Sequence, residues 1–158
     1  MKKVILIIGL LFPIGVFVFL RFFGKNEFTI PVYYESGIEE VPTDCIRNYQ
    51  VPYQVSDSLL INFGWTGKDV LIVTDTTQSV RKGLLRLDEE LSAEIQTIFL
   101  TGENDYLNEI FTCDLFLQKP WTTVLLDDQR RIRAYYDPTS REEVDRLIVE
   151  LKILLKKY

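Results

Sequence analysis

The apolar positions of the chain fall into three kinds of run: one long uncharged stretch at the start, several short β-branched runs, and two amphipathic stripes. The rest is organised around Asp69 to Leu91. Val70-Leu71-Ile72-Val73 is a continuous apolar run and predicts a buried strand. A polar turn follows, Thr74, Asp75, Thr76, Thr77, Gln78 and Ser79. Val80, Leu84, Leu87 and Leu91 then recur at the spacing of a core-facing helix, with charged residues filling its other side. In an α/β domain this strand-to-helix turn is where chemistry is usually placed, because the helix's free N–H groups gather there.

Ahead of that unit, Asn26 to Tyr34 reads as an extended segment with Phe28, Ile30, Val32 and Tyr34 on one side, and Ser36 to Asn48 as loop. Tyr49, Val51, Tyr53 and Val55 alternate with polar or proline residues and predict a strand. Leu59 to Phe63 is a second short strand and a candidate hairpin partner. After the central helix, Ile95 to Thr101 predicts a strand and Asp105 to Phe111 a short helix. Cys113 to Lys119 is ambiguous up to Pro120. Thr122–Leu126, a turn at Asp127–Arg130, and Arg131–Tyr136 predict an antiparallel hairpin. Thr139 or Ser140, with Glu142 or Glu143, is placed to cap a last helix whose face is Val144, Leu147, Ile148, Leu151, Leu154, Leu155 and Tyr158. This order of strands and helices is the thioredoxin arrangement, with an extra hairpin in front.

Val4 to Leu20 is 17 residues without a charge. As helix it spans roughly 25 Å, close to the hydrocarbon thickness of a bilayer. No small-x-small cleavage site follows it, so the expectation is an uncleaved signal anchor in residues 1–25, an extended linker and loop in 26–48, and one domain in 49–158. Lys2 and Lys3 precede the span, so the N-terminus is expected in the cytoplasm of a bacterial cell and the domain on the far side of the inner membrane.

Charge and composition narrow the chemistry. Residues 1–25 hold four basic residues and no acid, so removing them from the net charge of −5 leaves −9 for the rest. Such a surface disfavours nucleic acid and anionic lipid headgroups. Arg130, Arg131 and Arg133 are the densest basic group, and with Asp127 and Asp128 beside them they read as a solvated hairpin. There is no histidine, which removes the commonest ligand for zinc, copper and iron and the commonest general base near neutral pH. The only cysteines, Cys45 and Cys113, leave three readings open: a structural disulfide, two half-buried thiols, or a redox or metal role. Asp75 with its neighbouring threonines reads as a helix cap rather than a cation site. Trp65, Trp121, Tyr33, Tyr34, Tyr135 and Tyr136 read as core and rim, and mark a partner surface if several are exposed together.

The run Val124-Leu-Leu-Asp-Asp-Gln-Arg-Arg-Ile-Arg-Ala-Tyr-Tyr-Asp-Pro-Thr-Ser-Arg-Glu-Glu-Val-Asp-Arg-Leu-Ile resembles the C-terminal part of Sco/SenC proteins, and Phe99-Leu-Thr-Gly102 resembles a short motif upstream of it. The resemblance implies a membrane-anchored, thioredoxin-like relative of the copper chaperones of cytochrome oxidase assembly. That family holds copper with a Cys-x-x-x-Cys pair at the strand-to-helix turn and a distant histidine. Here Thr74 to Ser79 offers only hard oxygen and amide groups, unsuited to Cu(I). Arg130 stands where the family has a glycine in the hairpin turn. No metal, cofactor or catalytic residue is therefore expected. The expected function is a non-catalytic module docking another envelope protein, with an oxidase-type respiratory complex the implied partner. The alternatives are a thiol–disulfide protein using Cys45 and Cys113, and a small-ligand site in the vestigial cleft.

Overall fold

The computed structural model describes residues 11–19, 21, 28–91, 95–102 and 104–155. Its central strand, β1 (Val70–Asp75), owes its place to the unbroken apolar run, which has both faces covered. β2 (Ile95–Leu100) pairs with it in parallel and β3 (Thr123–Leu126) antiparallel; β4 (Ile132–Tyr136) extends the sheet beyond β3. The strand order is β2-β1-β3-β4 in one mixed sheet.

Because side chains alternate across a strand, β1 feeds two cores. Val70 and Ile72, with Leu125 and Tyr136, meet one layer made of α2 (Gln78–Leu91) and α4 (Arg141–Leu154). The predicted stripes supply it: Val80, Leu84, Leu87 and Leu91 from α2, and Val144, Leu147, Ile148 and Leu151 from α4. Leu71, Val73, Val124 and Tyr135 meet the opposite layer. That layer holds α1 (Asp57–Asn62), α3 (Asp105–Glu109), the π-helical turn Ile110–Asp114 that prolongs α3, and aromatic residues of the chain before α1. Each fully buried leucine or isoleucine contributes about 1.5–3 kcal/mol.

The chain before β1 differs from expectation. No strand forms over 49–55, and the expected partner strand is the helix α1, so the N-terminal hairpin is absent. Pro52 removes a ladder donor from the first segment. In the second, Leu60 and Phe63 lie three apart on one helical face, packed on the core, while Ile61 is exposed. The ambiguous stretch after Cys113 is the end of the π-helical turn followed by loop. The expected cap of α4 also differs: Asp137 Oδ1 accepts the Thr139 N–H (3.0 Å) and hydroxyl (2.6 Å), and the Ser140 side chain makes no capping bond. Tyr158 lies outside the described residues, as do residues 4–10 and 20 of the anchor expected at Val4 to Leu20. Residues 11–19 are helical, and among the described residues no helix is long and apolar enough to cross a membrane.

The β3–β4 turn is not a solvated hairpin. Asp127 is 5% exposed and accepts from the backbone N–H groups of Gln129 (3.0 Å) and Arg131 (2.9 Å), from Arg131 Nε (2.8 Å) and from Arg133 Nη1 (3.0 Å). Pairing skips Arg133, so this residue bulges and is aimed at Asp127. Arg133 also donates to the Ile30 carbonyl, which lays the 28–33 segment along β4. Arg130 closes the turn at φ +62°, a left-handed position that suits glycine; its Nε donation to the Val55 carbonyl (3.1 Å) offsets part of the cost.

α2 rests against the loop leading into α4 at Gly83, where an added Cβ would stand 1.9 Å from the Pro138 carbonyl oxygen. Alanine favours a helix by about 1 kcal/mol over glycine. The clash reverses that preference. Gly83→Ala is expected to lower stability by about 2 kcal/mol, read as a fall in the urea midpoint. A midpoint at or above wild type would contradict this close approach.

Candidate functional site: the carboxyl end of β1 and an aromatic pocket

After β1 the chain leaves through α2 to β2 on one side, while β3 pairs on the other. The carboxyl end of β1 is thus a switch point of the kind where open α/β sheets leave a crevice. A cleft of about 710 Å³ lies there, lined by Asp75, Thr76 and Thr77 from the turn and by Asn108, Lys119 and Trp121 from the facing loops. The Lys119–Pro120 bond at its wall is cis.

The turn's polar groups are largely spent on the fold. Asp75 Oδ1 accepts the N–H of Thr76 (2.5 Å), and the Thr76 hydroxyl donates to the Leu100 carbonyl (3.3 Å). Below them Thr74 and Thr123, both fully buried, share a hydroxyl hydrogen bond of 2.6 Å. The Thr77 and Ser79 hydroxyls lie 3.4 Å apart at the surface, and Gln78 is exposed. Asp75 therefore closes the strand-to-helix turn rather than capping through the first helical turn. Nothing here offers a thiolate or imidazole. Among the described residues no three His, Cys, Asp or Glu side chains cluster closely enough to hold a metal ion.

Cys45 and Cys113 are joined as a disulfide, with Cα atoms 5.5 Å apart. Both are buried, and neither lines the cleft. The bond is one of several ties between the 45–53 loop and the π-helical turn. Tyr49 donates to the Cys113 carbonyl (3.0 Å) and Tyr53 to that of Asp114 (2.6 Å), while Arg47 bonds Asp114 and Glu109. Burial holds the Asp114 carboxyl above its ordinary range, and the Arg47 guanidinium pulls it part of the way back. Its folded pKa thus exceeds its unfolded one, so this group favours folding as pH falls through the folded value and opposes folding at neutral pH. Arg47→Met leaves the carboxylate unpaired. The expected loss at neutral pH is about 1–2 kcal/mol, allowing for the third of the Arg47 side chain that meets solvent. The loss should shrink on acidification, as Asp114 takes up its proton. Urea titrations of both proteins across that range check it; a pH-independent difference would contradict the assignment.

Next to the cleft is a smaller pocket of about 190 Å³, walled by Tyr33, Tyr34, Phe116, Trp121 and Tyr135 with Gln118 and Arg146 at its edge. Trp121 lines both cavities. Tyr33 stands edge-on to Tyr135 at 5.3 Å, and Tyr34 packs against Phe116 at 4.9 Å. Tyr33 and Trp121 are each 42% exposed. Burial raises the Tyr135 phenol, whose hydroxyl donates to the Leu115 carbonyl (2.9 Å), so this ring is a fixed floor.

Of the six aromatic residues singled out in the sequence, Tyr33, Tyr34, Tyr135 and Trp121 meet here. Trp65 is tied to its own loop through the Lys68 carbonyl, and Tyr136 is buried under α4. Phe116, Gln118, Lys119 and Arg146 escaped sequence reasoning. The readable signal was the doublets Tyr33-Tyr34 and Tyr135-Tyr136: in β4, alternation sends one ring of the pair to each face of the sheet. Comparison with protein-family models finds no match, and comparison with curated proteins finds none.

Proposed function

We propose that this chain is a docking module without catalysis of its own. It is built on a thioredoxin-like fold, tethered by residues 4–20 to the bacterial inner membrane with the domain on the outer side, and it serves a respiratory complex of the cytochrome oxidase type as an accessory or assembly component. One observation carries the reading: at the carboxyl end of β1, where this architecture places chemistry, the Asp75 and Thr76 side chains bond to backbone groups and Thr74 to Thr123, while exposed aromatic rings gather beside them. The element order from β1 onward, β-α-β-α-β-β-α, supports the thioredoxin-like assignment. The Sco/SenC-like run from Val124 supports the respiratory partner, and the absence of histidine and of a cysteine at the turn argues against a copper-carrying role.

A thiol–disulfide activity is less well supported. Exchange needs a sulfur open to attack, and Cys113 is 2% exposed and Cys45 8%. Affinity purification of the full-length chain from its native membranes in mild detergent, followed by mass spectrometry, tests the docking role. Stoichiometric oxidase or cytochrome subunits are expected. A different stoichiometric partner would overturn the respiratory assignment, and a chain that arrives alone would overturn docking.

A further inference from the structure

Three residues of this protein other than glycine hold a positive φ among those described, and two of them, Tyr34 (+58°) and Phe116 (+50°), pack on each other in the wall of the small pocket, ring centroids 4.9 Å apart. Left-handed backbone is uncommon for bulky residues. Such strain persists where the surroundings over-determine it, and it clusters at ligand clamps. The pocket walls are therefore set in advance.

What they are set for follows from shape and from spare donors. A volume of about 190 Å³ suits one side chain and is too small for a nucleotide or a flavin. Among the described residues, the Trp121 indole N–H, the Tyr33 hydroxyl and the Gln118 amide have no protein hydrogen-bond partner, so each is available at the rim. Aromatic slots bordered by such donors fit a polyproline-type segment, whose rings fill the slots and whose carbonyls make no internal hydrogen bonds. Charge adds a second feature. Arg146 is engaged by the Tyr135 carbonyl (2.6 Å) and by Glu143 (2.8 Å), whereas Lys119, on the far side of Trp121, makes no ion pair within the described residues. In a domain that is otherwise strongly acidic, this unpaired ammonium is complementary to a carboxylate.

We propose that pocket and cleft form one recognition groove, divided by Trp121, for an extended proline-containing segment of a partner protein. The proline ring occupies the aromatic pocket, and an acidic side chain of the same segment meets Lys119. The proposal rests on the docking role argued above and specifies its ligand.

The test uses the isotope-labelled full-length chain in detergent micelles, titrated with short Pro-x-x-Pro peptides carrying one acidic residue. Control peptides replace the prolines by alanine or the acid by glutamine. The Trp121 indole resonance is expected to move and saturate while that of Trp65 stays. The alanine control should bind at least about tenfold more weakly, as should the variants Trp121→Ala and Tyr33→Ala, both at exposed positions. Lys119→Gln should abolish the preference for the acidic peptide and keep the preference for proline. No movement of the Trp121 resonance, or equal movement with the alanine control, would overturn the groove. If a partner co-purifies undiminished with Trp121→Ala, the groove is overturned and docking stands. If the peptides bind but no partner co-purifies, docking falls and the groove stands.

Discussion

Replacing Cys45 and Cys113 together by alanine is expected to lower the unfolding free energy by about 4 kcal/mol, because the bond closes a long loop in the unfolded chain. The two cysteines are 68 positions apart, and loop-closure entropy alone reaches that size. The folded state should change little. Arg47, Tyr49 and Tyr53 still fasten the 45–53 loop to Cys113, Asp114 and Glu109. Urea unfolding of the double variant against the oxidised wild type reads the loss, and the native protein should offer no titratable thiol until it is unfolded in reductant. A loss under about 1 kcal/mol would show that the ties around the bond already restrain the unfolded chain. Rapid reduction of the native protein would restore the thiol–disulfide reading.

Asp127→Ala is expected to cost about 3–5 kcal/mol, the range for leaving a buried charge without its partner. Asp127 meets Arg131 with two nitrogens, each at 2.8 Å, and Arg133 at 3.0 Å. The Arg133 side chain is 11% exposed and its Nε is already buried without a hydrogen-bond partner among the described residues, so loss of Asp127 strands a guanidinium beside the core. The damage should spread. Arg133 holds the Ile30 carbonyl, and the next link, the Tyr33 N–H to the Ile132 carbonyl (2.8 Å), seats the segment that carries a wall of the aromatic pocket. Asp127→Asn keeps an oxygen for the turn's N–H groups and should lose less. Denaturant titration at neutral pH compares the two. Near-wild-type stability of the alanine variant would mean that the hairpin is solvated after all.

The difference between the solvated hairpin expected from the sequence and the buried Asp127 found in the fold shows where local pattern stops being informative. Adjacent charges such as Asp127-Asp128 and Arg130-Arg131 look alike whether wet or dry. Asp127 pairs with Arg133, and Arg133 is held in turn by the Ile30 carbonyl, 103 positions before Arg133 in the chain. α2 and α4 were legible because each repeats its apolar period over several turns, and β1, β2 and the β3–β4 pair because short apolar, β-branched runs are bounded there by turn residues. α1 was not. Its six residues complete fewer than two turns, so Leu59 and Ile61 passed for alternation. A cleft lies at the turn after β1, where topology alone puts one. Its aromatic neighbour depends on Tyr33-Tyr34 arriving from the chain's start and Phe116 from the end of the π-helical turn, and on left-handed backbone at Tyr34 and Phe116 that no residue type there announces. The pairing of Cys45 with Cys113 likewise has no local signature.

On the docking role proposed above, the partner sits at the end of the sheet where β1 stops. Photo-cross-linking in native membranes tests it most directly. A photoreactive side chain is placed at Tyr33, on the pocket rim, and separately at Leu85, which is exposed on α2. One dominant cross-linked partner is expected from position 33 and none from position 85. Cross-links of equal strength from both positions, or none from position 33, would contradict it.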